Sequence, residues 1–86
     1  MAQPRTSDLA IVLGHALQCE ACRRRLLEEP DRVLVGRKIT ATQRADLAQL
    51  SEEDFTNSAT LAAAVRLPMA ELAEGIDHPR ARLRHL

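Results

Sequence analysis

Between Asp8 and Glu29, apolar positions recur with the period of a helix. One stripe runs Asp8, Ile11, His15, Cys19, Cys22 and Leu26. A neighbouring stripe runs Leu9, Leu13, Ala16 and Leu17. Offsets of three and four keep each set on one face, and together they predict a long helix with a wide inward side. Ser7 is placed to cap it, Asp8 suits its first turn, and Pro30 should stop it. Only Gly14 resists the helix from within. Residues 1–6 form a loose start.

The remaining pattern predicts shorter elements. Val33-Leu34-Val35 is β-prone with no partner strand, so it reads as an extended connector. Thr40-Ala-Thr-Gln43 has capping-box spacing and opens a second helix to about Leu50. Ser51-Glu-Glu-Asp54 repeats that signal before a short turn that delivers Phe55. Ser58 would cap a third helix through Leu61 and Val65. Leu67-Pro68 breaks it, and Pro68 suits the first turn of a fourth helix ending at Gly75. The expected architecture is an all-α bundle of about four helices, one domain over residues 1–86, with a C-terminal tail at 78–86. Its expected core is Leu9, Leu13, Leu17, Leu26, Leu47, Leu50, Phe55, Leu61, Val65 and Leu72.

Composition sharpens this picture. Phe55 is the one aromatic side chain in 86 residues, so Leu, Ala and Val must fill the core. Helix-on-helix packing suits such residues better than a sheet. A core this small is marginal, and a structural metal or dimerisation, as in a homodimer, would supplement it. Formal net charge is zero, which removes a general attraction to nucleic acid or anionic membrane. The charge is segregated, however. Residues 51–77 hold six acids and one base, Arg66, whereas the tail carries Arg80, Arg82, Arg84, His78 and His85 and no acid. An acidic body with a basic tail fits protein–protein contact. No apolar run approaches the ~20 residues that cross a bilayer. The opening residues lack a signal-peptide core, so a cytoplasmic location is expected.

The candidate chemistry lies on the first helix. His15, Cys19 and Cys22 make an H-x3-C-x2-C pattern that includes both cysteines of the chain. One imidazole and two thiols on a shared face suit Zn(II). A structural zinc wants four ligands. His78, at a turn that could fold back onto the first helix, is a candidate for the fourth, and His85 is another. Asp8 lies two turns from His15, ~10 Å along the axis, too far to share an ion. Water or a partner chain could also complete the site. The plainer account is packing: cysteines are small, commonly buried side chains, and a histidine beside them can be a satisfied core residue. A reversible Cys19–Cys22 disulfide is a further option, with Arg23, Arg24 and Arg25 favouring thiolate. Arg follows Cys22 where c-type haem attachment needs His, and two cysteines fall short of an iron–sulfur set. A Cys-x-x-Cys in mid-helix also differs from the thioredoxin arrangement, which opens a helix after a strand.

Over about residues 13–27, the H-x3-C-x2-C motif and the Arg and Leu-Leu that follow Cys22 resemble the zinc-binding anti-sigma (ZAS) domain. The resemblance implies His15, Cys19 and Cys22 as zinc ligands. It also implies a sigma factor as protein partner and transcription regulation as the role, with release on cysteine oxidation as a redox switch. The family's further ligand lies upstream of the motif, where residues 1–14 hold no cysteine or histidine.

Two other functions compete with a regulatory, protein-binding zinc or thiol site. Residues 58–76 have the apolar spacing of a helix-turn-helix, and the Arg80-Ala-Arg-Leu-Arg tail could contact phosphate in nucleic acid. Against this, Met69-Ala-Glu-Leu-Ala-Glu would be an acidic recognition helix. Alternatively the chain is a small accessory or precursor protein recognised by a partner enzyme. No glycine-rich phosphate loop and no nucleophile–base pairing are present, so an enzyme acting alone is not expected.

Overall fold

The structure, a computed structural model, describes residues 6–79 and residue 81. It is all-helical, with α1 (Asp8–Gln18), α2 (Glu20–Glu28), α3 (Pro30–Leu34), α4 (Ala41–Ala48), a 3-10 turn at Glu52–Phe55, α5 (Ser58–Ala64) and α6 (Met69–Asp77). Several starts follow their capping signals. Ser7 Oγ accepts from Ala10 N at 3.2 Å. Thr40 and Gln43 exchange side chain and backbone hydrogen bonds at 3.0 and 3.1 Å, and Asp54 accepts from Ser51 N at 2.9 Å.

The long first helix is not continuous. It breaks at Cys19, which is extended (φ −133°, ψ 105°) and serves both as the last cap of α1 and the first cap of α2. Neither proline nor glycine lies at the break. Instead Cys19 Sγ accepts from Cys22 N at 3.3 Å, doing for α2 what a serine oxygen does for other helices. Helix propensity alone could not reveal this cap.

Three further boundaries differ from expectation. Val33-Leu34 is helical, because Pro30 pre-sets φ at the first position of α3 rather than merely ending the previous helix. Val33 and Leu34 turn into the core, Val35 is 76 % exposed, and Gly36 closes the turn with φ 77°. Asn57, not Ser58, caps α5, accepting from Thr60 N at 2.8 Å. Pro68 is the residue before α6, which runs two residues past Gly75 to Asp77.

Burial explains the architecture. Every residue from Leu9 to Ala16 is buried, so α1 is a central rod that the other helices surround. The core joins Leu9, Val12, Leu13 and Ala16 to Leu26, Val33, Leu34, Leu47, Phe55, Leu61, Ala62, Val65 and Leu72. Leu17 and Leu50 are only partly buried against it. The most extensive helix pairing is α1 with α6. Here the backbones almost touch: a Cβ on Gly14 would lie 2.6 Å from Gly75 C and O, and one on Gly75 would strike the Ala10 carbonyl. Gly75 is therefore a crossing point and not a helix stop. Between α5 and α6, Arg66 takes a positive φ of 57°. Leu67 N donates to Ala62 O at 2.9 Å and Arg66 N to Ala63 O at 3.2 Å, the bonding of a Schellman turn. No helix is long and apolar enough to cross a membrane among the described residues.

Candidate metal centre

The kink brings the sequence motif together. His15 lies in the last turn of α1, Cys19 at the break, and Cys22 in the first turn of α2. One ligand atom from each lies within 4.8 Å of the others, and among the described residues no other such group is found. His15 Nε2 is 3.1 Å from Cys22 Sγ, and the two sulfurs are 2.8 Å apart. His15 is only 4 % exposed and is the one buried polar side chain among the described residues. Cys22 is buried, whereas Cys19 is half-exposed.

The orientation of His15 is set from behind. Its Nδ1 is 2.5 Å from the carbonyl oxygen of Ala81. A carbonyl can only accept, so Nδ1 carries the proton and the Nε2 lone pair faces the sulfurs. Metal-ligating histidines commonly have such a partner on the other ring nitrogen, fixing tautomer and ring plane. Gln18 ties the same region together, donating from Nε2 to Gly14 O and to Ile76 O, both at 2.9 Å. The ends of α1 and α6 are thereby fastened side by side. Neither Ala81 nor Gln18 could be singled out from sequence. The first acts through a backbone atom that every residue possesses, and the second depends on which helix lies opposite.

The donor set can be tested against zinc. With bond lengths of about 2.0 Å to nitrogen and 2.3 Å to sulfur, the edges of a tetrahedron are roughly 3.5–3.8 Å. The observed 3.1 and 2.8 Å are shorter, yet longer than the 2.05 Å or so of a disulfide bond. Opening the sulfurs by less than about 1 Å meets the zinc geometry, which half-exposed Cys19 can supply by rotating about χ1. Among the described residues, three fit as ligands of such a site.

His78 is not among them. It borders a separate surface pocket with Ser7, Asp8, Ile11 and Lys38, around the opposite end of α1. Asp8 is engaged there too, accepting from Lys38 N at 2.8 Å. His78 is outside the His15, Cys19 and Cys22 group: the chain after α6 brings a backbone carbonyl, that of Ala81, to His15, while the His78 side chain faces the pocket beside Asp8 and Ile11. His85 lies outside the described residues, as do Arg80, Arg82 and Arg84.

The surroundings of Cys19 lower the pKa of its thiol. It is held below the ordinary thiol value chiefly by the hydrogen bond with the Cys22 side chain and then by the Cys22 N–H; burial opposes this, and the Ala21 N–H and the charge of Arg23 add smaller lowering effects. The three arginines after Cys22 act unequally. Arg23 lies 3.0 Å from Glu52 and over the Phe55 ring, its guanidinium carbon 5.7 Å from the centroid, so it fastens α2 to the 3-10 turn. Arg24 pairs with Glu20 one turn back. Arg25 lines a surface pocket with Glu29 and Arg32.

Comparison of the chain with protein-family models, with curated proteins and with solved structures finds no match. What the fold and the site define is an all-helical protein with a His–Cys–Cys cluster at a helix break, consistent with an H-x3-C-x2-C motif.

Proposed function

We propose that this chain is a small regulatory protein whose His15, Cys19 and Cys22 hold a zinc ion that fixes a protein-binding surface, in the manner of an anti-sigma domain. The observation that carries this reading is the buried His15, with Nδ1 committed to Ala81 O and Nε2 turned to two sulfurs. A buried histidine needs partners on both ring nitrogens in any case; what favours a metal is that the Nε2 partner is one of two neighbouring sulfurs, three soft donors in one place. Zinc would supply ligand-field-free tetrahedral cross-linking and no redox chemistry of its own. The chain's residues would do the rest: α1 presents the imidazole, the break at Cys19 directs both thiols inward, and Arg23 anchors α2 to the body. Because ligation is folding energy in so small a protein, loss of zinc would loosen the α1–α2 kink and whatever surface depends on it.

The test is the metal content and thiol reactivity of reduced protein purified without a histidine tag. Near one zinc per chain, with both thiols protected until chelator is added, is the expected result. Cys19→Ser should lower the melting temperature much more with zinc present than after chelation. Equal losses in both conditions, or absence of zinc after reconstitution, would overturn the metal reading.

A second reading, a reversible dithiol, has one observation in its favour. Cys19 caps the start of α2, so the Cys-x-x-Cys opens a helix rather than lying inside one. This removes the mid-helix objection raised by the sequence, although the preceding element is a helix and not a strand. Two thiols would give one disulfide, two protons and two electrons to a disulfide or peroxide oxidant. The helix-turn-helix alternative gains less. On α6 the exposed positions include Glu74 and Asp77 and no lysine or arginine, which suits neither phosphate nor guanine contact.

A further inference from the structure

The group behind His15 is not part of α1 or α2. It belongs to the segment that follows α6. The chain leaves α6 at His78 in an extended conformation (φ −66°, ψ 137°). It then turns back so that Ala81 is fully buried, with Ala81 N donating to His78 O at 2.9 Å. The Ala81 carbonyl meets His15, 66 residues earlier in sequence. A single imidazole thus touches the candidate metal position with one nitrogen and the C-terminal segment with the other.

We propose that zinc at His15, Cys19 and Cys22 acts as a clasp on the C-terminal segment, so that occupancy of the site governs how firmly the chain beyond α6 is docked. This rests on the zinc reading above. A cation bound at Nε2 draws electron density from the ring and makes Nδ1–H a stronger donor. The bond to Ala81 O then becomes charge-assisted and shorter-lived openings become rarer. Zinc would also restrain the ring against rotation, because a tilt that breaks the Ala81 bond would strain the bond from Nε2 to the metal. Without zinc the ring still faces Cys22 and Ala81, and its bond to the Ala81 carbonyl is a neutral one. The clasp is therefore graded: docking is firm with zinc and weaker without it. The described contact is with Ala81, which precedes a stretch of sequence holding Arg82 and Arg84 and no acid.

Amide hydrogen exchange of the whole reduced protein, with zinc and after chelation, tests this at Ala81. The Arg44 amide, bonded to Thr40 O in α4, is the internal reference, because global stabilisation by zinc slows every amide that exchanges by unfolding. Strengthening one neutral hydrogen bond to a charge-assisted one is expected to slow local opening about tenfold. With near one zinc bound per chain, Ala81 should slow by about that factor beyond Arg44. If zinc binds and Ala81 slows no more than Arg44, the clasp is wrong while the zinc reading survives. If no zinc binds, both fall together.

Discussion

Replacing Gly75 by alanine should destabilise this protein, although alanine is the better helix former. Within α6 alone, Gly→Ala would gain about 1 kcal/mol. The crossing with α1 reverses the sign. The new Cβ would land on the Ala10 carbonyl and 2.8 Å from Ala10 Cβ, and ordinary contact needs about 3.4 Å or more between carbons. The helices must separate by roughly 1 Å, a gap that forfeits a quarter to a half of each contact's dispersion energy along the interface. Leu9, Leu13 and Leu72, all nearly inaccessible to solvent, lie in the core that would open. Overpacking of this kind costs about 1–3 kcal/mol, which leaves a net loss of up to about 2 kcal/mol once the propensity gain is subtracted. For a chain of this size each kcal/mol lowers the melting temperature by about 4–8 °C. Urea denaturation of Gly75→Ala, beside Ala73→Gly at an exposed position of the same helix, separates the two effects. Ala73→Gly should lose about 1 kcal/mol from propensity alone. The crossing also positions the metal centre. A 1 Å retreat of α6 would carry the Ala81 carbonyl beyond hydrogen-bond range of His15, and loss of such a partner lowers metal affinity by about 10–100-fold. A Gly75→Ala protein at least as stable as the parent would refute the argument, because helix propensity would then outweigh the close approach.

Other predictions concern single sites. Arg66→Gly should stabilise the protein by about 0.5–1 kcal/mol in the same urea assay, because glycine takes the positive φ at this Schellman position without steric cost. The ion pair lost with it is long, 3.9 Å, and joins an exposed Arg66 to a largely buried Asp46, so its loss offsets part of that gain. Thr40→Ala should cost about 1 kcal/mol by removing half of the capping box that starts α4. In metal-free, reduced protein, half-exposed Cys19 should be alkylated faster than buried Cys22 at neutral pH, with a rate that titrates below the ordinary thiol range. The sign for stability follows: a thiol pKa lowered by folding contributes stability that is fully present above the unfolded value and is lost as pH falls through the folded value. Metal-free protein should therefore gain stability over Cys19→Ser as pH rises toward 9.0, and a pH-independent difference would count against the thiolate.

Much of the local structure was legible in the sequence because it is written in short-range chemistry. The caps at Ser7, Thr40 and Ser51, the delivery of Phe55 to the core and the inward stripe of α1 each depend on residues three or four apart. So does the grouping of His15, Cys19 and Cys22, since either a continuous helix or a kinked one brings offsets of four and three together. The all-helical class followed from a chain with one aromatic residue and an Ala- and Leu-rich interior.

Tertiary structure decided what these signals could not. A thiol as helix cap carries no strong propensity, so the break at Cys19 emerged only where sulfur, imidazole and the first turn of α2 meet. Gly14 and Gly75 look like weak points in two helices. They are the positions where two backbones press together, a property of the pair and of neither helix alone. His78 and Ala81 exchange the roles expected of the C-terminal region. The titratable side chain goes to the far end of α1, and an unremarkable backbone carbonyl reaches His15. The path of the chain after α6 is set by the packing of α6 along α1, and no short-range pattern within 78–86 encodes that direction.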